Sequence, residues 1–419
     1  MTDLPKHKGA LAAGSFPIGL KYANRKLVLN AFRANDVLSS VDVSGLIGVS
    51  RQTSSKAIDF FLENGLLECI GKGDTTEVGG RPPEQYRLSR KICFLCINVE
   101  SECIIVRSVN LHSEIIKTVV HPIPVQIVQD LLWRAIEEIS SEIISNMEEK
   151  ANLRGVCFTI RGLVKHNTGT LQYSTYYTSW TPNEPIREKL KAIFPWVNRF
   201  FIDKPVKIFA RSLFSAYEEQ LQGKRCLVIY SQKGIGTGLI HNGIIEDGAN
   251  SLIGEIGHMI LEPKFPITCS CGNNGCFEQL ISIDQLRSIV LERAGDFAGS
   301  ILVSKDISSL MYEDIFNASR KGDKLARFLC DYMAEYFSIM YRNTAVVFDP
   351  EVIVFQGNFA HADKYFLDKF QDRTRRFQYF GDSYKIQIII DKRDISELLS
   401  DGSINAILTD FFSDPNIYV

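Results

Sequence analysis

The sequence predicts an α/β chain in two parts: an N-terminal winged helix-turn-helix domain followed by a two-lobed α/β body. Three observations carry that prediction. Residues 21–91 read as short helices and then two strands around a polar, Gly-rich loop. From Ile92 onward, apolar strand runs alternate with long helical periods, the pattern of βαβ construction. At 419 residues the chain is also too long to fill one core, so two or three domains are expected.

Composition narrows the class. Hydrophobic content of 45% and charge of 23% are ordinary for soluble globular protein. No apolar run is long enough to span a bilayer, and the first thirty residues lack a signal-peptide core, so a cytoplasmic protein with no membrane partner is expected. Ten cysteines in that compartment point to metal binding and burial rather than disulfides. The net charge of -2 is unevenly spread: residues 1–91 carry thirteen Lys+Arg against nine Asp+Glu, the remainder thirty-four against forty. A basic head on an acidic body suits a head that meets phosphates.

Residues 1–20 hold Pro5 and Pro17, show neither helical nor strand period, and are expected to form a flexible arm. In residues 22–34, Leu27, Val28, Ala31 and Phe32 fall at helical spacing. Residues 40–47 offer a short second helix buried through Val43, Leu46 and Ile47. After the turn at 48–50, Ser50 is an N-cap for a helix over 51–63, which packs through Ala57, Ile58, Phe61 and Leu62. Arg51, Gln52, Thr53, Ser55 and Lys56 occupy its first turns, where polar donors reach base edges in a major groove. Gly65 closes this helix, and strands at 66–70 and 84–88 flank the polar loop 71–83. That loop reads as a wing, with Arg81 held extended by Pro82 and able to enter a narrow minor groove.

The body, residues 92–419, opens with apolar strands at 93–99, 103–109 and 114–120, then a long amphipathic helix over 125–150. Cys93 and Cys96 form a C-x-x-C, but three residues apart on a strand they face opposite sides, which favours core packing over metal or redox use. Further strands are expected at 155–160, 226–230 and 350–355, with a Gly-rich turn at 233–240. A long helix is expected at 323–344, and the element order suggests two related lobes of βββαβ type. The most specific stretch is 254–278. There His258 precedes Cys269, Cys271 and Cys276 in C-x-C-x4-C spacing, four soft or borderline ligands within nineteen residues. That set matches a closed tetrahedral zinc site, structural rather than catalytic. Gly272, Gly275, Asn273 and Asn274 tolerate the positive φ of a tight knuckle.

GEIGH at 254–258, followed by C-x-C-G-x-x-G-C-x-E at 269–278, resembles the signature of the ROK family, which joins sugar kinases and sugar-responsive repressors on one fold. The resemblance covers roughly residues 92–419, and the wing's Gly80-Arg81-Pro82 is similar to wings of the family's repressors. It implies an actin-like, ribonuclease-H-like body of two lobes. It also implies zinc on His258 and the three cysteines of the loop 258–276, and a hexose pocket lined by Glu255, His258 and Glu278.

Several positions depart from the family's kinases. Asn98-Val99-Glu100-Ser101-Glu102 stands where a kinase shows Asp-x-Gly-Gly-Thr, so the phosphate-approaching glycines are gone and two carboxylates replace them. Lys165 takes the place of an acidic residue after Arg161-Gly162. Alignment puts Asp203 on the catalytic base, Ile202 where a polar group belongs and Arg211 where a Glu is common. Asp203 is read either as an acceptor for a sugar hydroxyl or as a helix N-cap, two compatible roles. The aromatics of 173–180 fit a sugar-facing segment or core equally. A single glycine, Gly357, remains where a double glycine would approach the adenine.

Together these readings predict a sugar-responsive DNA-binding regulator of carbohydrate genes, a repressor rather than an enzyme, with Asp203 a vestigial base. Expected partners are a palindromic operator, a hexose, N-acetylhexosamine or sugar phosphate as effector, and a second copy in a homodimer or dimer of dimers. The alternatives are an ATP-dependent hexose kinase with a DNA-binding head, or a repressor governed by a protein partner.

Overall fold

The computed structural model describes residues 17–419 apart from 74–81, 146, 148, 377–378 and 380–384. In the head, apolar residues at helical spacing form α1 (Pro17–Ala34), α2 (Ser40–Ile47) and α3 (Arg51–Glu63), with β1 (Leu38–Ser39) before α2. The expected arm therefore ends sooner, since Pro17 opens α1, a position where its missing N–H costs nothing. Local capping fixes the boundaries of α2 and α3. Ser39 and Asp42 form a reciprocal capping box on α2, and the Ser50 hydroxyl accepts from the Thr53 amide at 3.2 Å. β2 (Leu67–Lys72) and β3 (Glu84–Leu88) complete an antiparallel sheet in the order β1-β3-β2. The wing tip with Arg81 lies outside the described residues.

The first lobe contains β4 (Cys93–Val99), β5 (Cys103–Asn110), β6 (Ile115–Pro122), α4 (Gln129–Ser145), β7 (Leu153–Thr159), β8 (Leu163–Lys165), β9 (Thr170–Tyr173), α5 (Ile186–Ile193) and β10 (Phe200–Asp203). Its sheet runs β10-β7-β4-β5-β6, parallel across β10, β7 and β4 and antiparallel beyond. α4 is shorter than the expected 125–150 because Pro122 and Pro124 precede it and Gln126 adopts a φ of 63°. Cys93 and Cys96 enter different apolar clusters on opposite faces of β4, as strand periodicity requires.

α6 (Pro205–Ala216) and α7 (Glu218–Leu221) lead to the second lobe. It holds β11 (Arg225–Ser231), β12 (Ile235–His241), β13 (Ile244–Ile245), α8 (Phe277–Leu280), α9 (Ile283–Arg293), α10 (Tyr312–Arg320), α11 (Lys324–Val347), β14 (Val352–Gly357), α12 (Lys364–Arg375) and β15 (Gln387–Ile390). The sheet order β13-β12-β11-β14-β15 repeats the first lobe's pattern of an antiparallel hairpin followed by two parallel strands. The last helix, α13 (Ile395–Ser413), crosses back to pack on α6, β4 and β7. Its Gly402 is required there, because a Cβ would meet the Ile208 carbonyl oxygen of α6 at 2.1 Å.

One apolar cluster spans head and first lobe, an arrangement the division at residues 91 and 92 did not anticipate. Phe32, Val43, Ile58 and Phe61 of the head join Phe94, Phe201 and Phe209 of the body through Phe411, Phe412 and Tyr418. Tyr418 is the junction. It is fully buried, its ring meets Tyr22 and Phe61 at centroid distances of 5.3 and 6.4 Å, and its carbonyl accepts from Arg25 Nη1 at 2.8 Å.

Candidate functional site

Between the lobes lies a cleft of about 560 Å³. Its first-lobe wall holds Arg161, Tyr173 and Tyr176; the β10–α6 junction adds Lys204 and α6 adds Phe209; the second lobe adds Gln232, Lys233, Glu255, His258 and Glu278. Thus three of the four residues expected to face a sugar, Glu255, His258 and Glu278, are brought to one cavity, and Asp203 is not. The aromatic segment divides: Tyr173 and Tyr176 line the cleft, whereas Tyr177 and Trp180 stack in the core at 4.7 Å.

The His/Cys loop folds back by short-range bonds. Cys269 donates its amide to Asn273 and Leu261 donates to Gly275. Gly275 passes so close to the Glu262 carbonyl that a Cβ would sit 1.8 Å from its oxygen. The ligand atoms of His258, Cys269, Cys271 and Cys276 consequently lie within 4.8 Å of one another. His258 Nδ1 is 3.6 Å from the Cys269 sulfur, and the Cys271 and Cys276 sulfurs are 3.5 Å apart. Burial and the hydrogen bond with Cys271 push the Cys276 thiol up. Three sulfurs and one imidazole at these separations fit a tetrahedral zinc ion.

The carboxylates of the cleft are already engaged. Glu278 accepts from the Ile235 amide at 3.3 Å and from the Cys269 thiol at 3.3 Å, which ties the Gly-rich turn to the His/Cys loop. Glu255 carries the ammonium of Lys204, a site residue that sequence reasoning missed. The available signal was its place immediately after Asp203 at a strand end, where neighbours alternate in direction. Asp203 itself is buried, accepts from the Lys204 amide at 2.9 Å, lies 3.7 Å from Lys207 Nζ and does not line the cleft. Burial pushes its carboxyl up, opposed by Lys207. The N-cap of α6 is Lys204 rather than Asp203, because the helix starts at Pro205 and the Asp203 side chain reaches only the next amide.

The stretch 98–102 is filled by the protein's own groups. Asn98 is fully buried, donating to Thr159 Oγ1 and Ser403 Oγ at 2.9 Å each and accepting from Arg107 Nη1 at 3.2 Å. Arg107 also donates to Ser396 Oγ at 2.7 Å. Glu100 is buried and paired with Arg161 at 2.8 Å, while Glu102 is exposed, so the two carboxylates do not stand together. Burial pushes the Glu100 carboxyl up, and Arg161 opposes that shift. Arg161 donates across the cleft to Gln232 at 2.8 Å. Ile202 is core, and Arg211 lies over the Phe201 ring at 5.0 Å.

On the head, Arg51, Gln52 and Lys56 of α3 are exposed, whereas Thr53 and Ser55 are half-buried. The Thr53 hydroxyl lies 2.9 Å from that of Ser50 and serves the helix cap.

A three-helix head with a small antiparallel sheet, joined to a duplicated two-lobed body with a His/Cys₃ cluster beside its cleft, defines the class: a small helical head on an actin-like, sugar-kinase-like fold. The chain belongs to the ROK family, which matches residues 94–393. Among curated relatives, the xylose repressor of Caldicellulosiruptor bescii is 23% identical over 408 residues, covering 94% of this chain and 98% of its own. The glucokinase of Halalkalibacterium halodurans is 26% identical over 234 residues, 54% of this chain and 68% of its own. Among solved structures, a ROK family transcriptional regulator homologous to the E. coli MLC protein superposes with a TM-score of 0.72 at 19% identity, covering 94% of this chain and 99% of that one. No helix among the described residues is long and apolar enough to cross a membrane.

Proposed function

We propose that this protein is a cytoplasmic, sugar-responsive transcriptional repressor of carbohydrate genes whose kinase-derived body transfers no phosphate. The observation that carries the reading is the pairing of a DNA-binding head with an open interlobe cleft and a closed phosphate strand: Asn98 has its polar atoms satisfied by Thr159, Ser403 and Arg107. Two relatives that span most of the chain support it, one named a xylose repressor and one an N-acetylglucosamine repressor. In this reading His258, Cys269, Cys271 and Cys276 hold a structural zinc ion. The ion fixes the loop that presents Glu255 and Glu278, with His258 shared between metal and cleft.

Arg51, Gln52 and Lys56 read the major groove and Arg81 the minor groove. Two heads of a homodimer then span a palindrome, because one recognition helix covers too few base pairs for useful specificity. The effector's influence reaches the head along α6, which lines the cleft through Val206 and Phe209, and α13, which packs on α6 and leads to Tyr418 beneath α3. A ligand releases DNA only by as much as its affinity differs between the two head dispositions.

The test is calorimetric titration of the zinc-loaded protein with hexoses, pentoses and N-acetylhexosamines, without ATP, followed by a gel shift on operator DNA with any hit. A sugar that binds and also changes DNA affinity is expected. DNA binding with no sugar response would transfer control to a protein partner, and turnover of hexose with ATP in a coupled assay would restore the kinase.

A further inference from the structure

Two departures from the kinase pattern, one in each lobe, are joined through a single side chain. In the first lobe Glu100 occupies the turn between β4 and β5, where the phosphate-approaching glycines are missing. In the second lobe the lone Gly357 ends β14, and Asn358 follows it. Arg161, from the turn after β7, stands between them. Its Nη2 donates to Glu100 Oε2 and to Gln232 Oε1, each at 2.8 Å. A terminal guanidinium nitrogen carries two N–H groups, so one is spent on each lobe.

The two bonds differ in how easily they break. The Glu100 side chain is 9% exposed, and its other oxygen is buried with no hydrogen bond among the described residues, so compensation of its charge falls to Arg161. Parting a buried carboxylate from its cation would leave that charge unpaired. Arg161 is held to the first lobe elsewhere as well. Ser174 Oγ donates to its carbonyl at 2.9 Å, and its guanidinium lies 5.8 Å from the ring of Tyr176, whose hydroxyl donates to the Ser101 carbonyl at 3.1 Å. Gln232, by contrast, is exposed, and water can replace its side-chain bond at little net cost. Its backbone is nonetheless fixed, since Asn358 Nδ2 donates to the Gln232 carbonyl at 2.8 Å. Gly357 makes that bond possible: it has a φ of 67°, and a Cβ there would stand 2.1 Å from the Ser231 carbonyl oxygen.

We propose that Glu100, Arg161 and Gln232 form a latch that holds the lobes together across the cleft before any effector arrives. Glu100 and Arg161 are its rigid arm, and Gln232 is the end that lets go. Arg161, Tyr176 and Gln232 all line the cleft, so the latch governs how far the cavity opens. The apparent affinity for any ligand scales with the population of the state competent to bind it, so this one bond tunes the response as well. The latch stands on the interlobe geometry alone; its effect on DNA rests on the repressor reading above.

The experiment uses the full zinc-loaded chain without sugar. Nitroxide labels are carried by encoded unnatural residues at Ile116 of the first lobe and Leu291 of the second, both exposed, and labelled protein is diluted with unlabelled so that only distances within one chain are read. Gln232→Ala removes the catch and is expected to lengthen the mean label separation by about 2 Å or more. Gln232→Glu replaces a neutral acceptor by a charged one, about twice as strong, and is expected to narrow the distance distribution without lengthening it. Glu100→Gln, which loosens the arm, is expected to fall between Gln232→Ala and the unaltered chain. Operator gel shifts on the same proteins are expected to move in opposite directions for Gln232→Ala and Gln232→Glu, by about fivefold or more. An unchanged separation in Gln232→Ala, with the fold intact by circular dichroism, overturns the latch and leaves the repressor reading standing. A Gln232→Ala effect with none from Glu100→Gln removes Glu100 from it. Separations that move as expected while operator affinity stays constant support the latch and overturn the path from cleft to head.

Discussion

Two polar regions lie near the strand ends of the first lobe, and they have opposite fates. Around Asn98, at the end of β4, each donor and acceptor of the amide is matched by Thr159, Ser403 or Arg107, and the site is buried and closed. Across the sheet, Lys204 and Arg161 are braced from behind yet open onto a cleft of about 560 Å³. A buried polar group left unpaired costs roughly 1–3 kcal/mol, so a closed region must supply its own partners. The closed region has done so. The open region keeps donors facing a cavity, and there a ligand still has something to complete.

That contrast can be broken at several points. The largest effect is expected from Cys271→Ser, since a structural zinc ion contributes on the order of 10 kcal/mol of binding free energy. Metal analysis should fall from one zinc per chain to none, and the response to effector should vanish while the head still binds DNA. Full metal content and full response in this variant would refute the proposed centre. Next comes Tyr418→Ala, which removes a fully buried ring and should cost about 3–5 kcal/mol in urea unfolding. In material that still folds, effector binding should persist with its influence on DNA affinity greatly reduced.

Asn98→Ala should cost about 2–3 kcal/mol by breaking the closed network, with effector affinity unchanged. Tyr176→Ala should do the reverse, lowering effector affinity about tenfold for less than about 1 kcal/mol of stability. If Asn98→Ala changed effector affinity as much as Tyr176→Ala does, the two regions would be one site. The smallest effect is expected from Arg81→Ala, which should weaken DNA binding and reduce its salt slope by about one unit, with zinc content and effector affinity unchanged.

Legibility in the sequence followed the range of the interactions. α3 runs from Arg51 to Glu63 as its N-cap Ser50 and the glycine after it indicate, because caps act within a few residues. The His/Cys loop was equally legible, its four donors lying within nineteen residues. Lys204 was not, because its meaning depends on Glu255 in the other lobe, and neither residue alone signals an ion pair. The shared core was hidden for the same reason: Arg25 and Tyr418 are 393 residues apart. Asp203 shows how a matching position misleads. It sits at the aligned strand end, yet it is buried beside Lys207, one helical turn further on.

The place of Tyr418 also sets an order of assembly. α1 and α3 leave the ribosome long before the ring against which Tyr22 and Phe61 pack. At 5–20 residues per second, the 393 residues between Arg25 and Tyr418 take roughly 20–80 s to make. During that interval the head has its helices but not its full core. A chain interrupted anywhere between α3 and Tyr418 therefore lacks that part of the head's core.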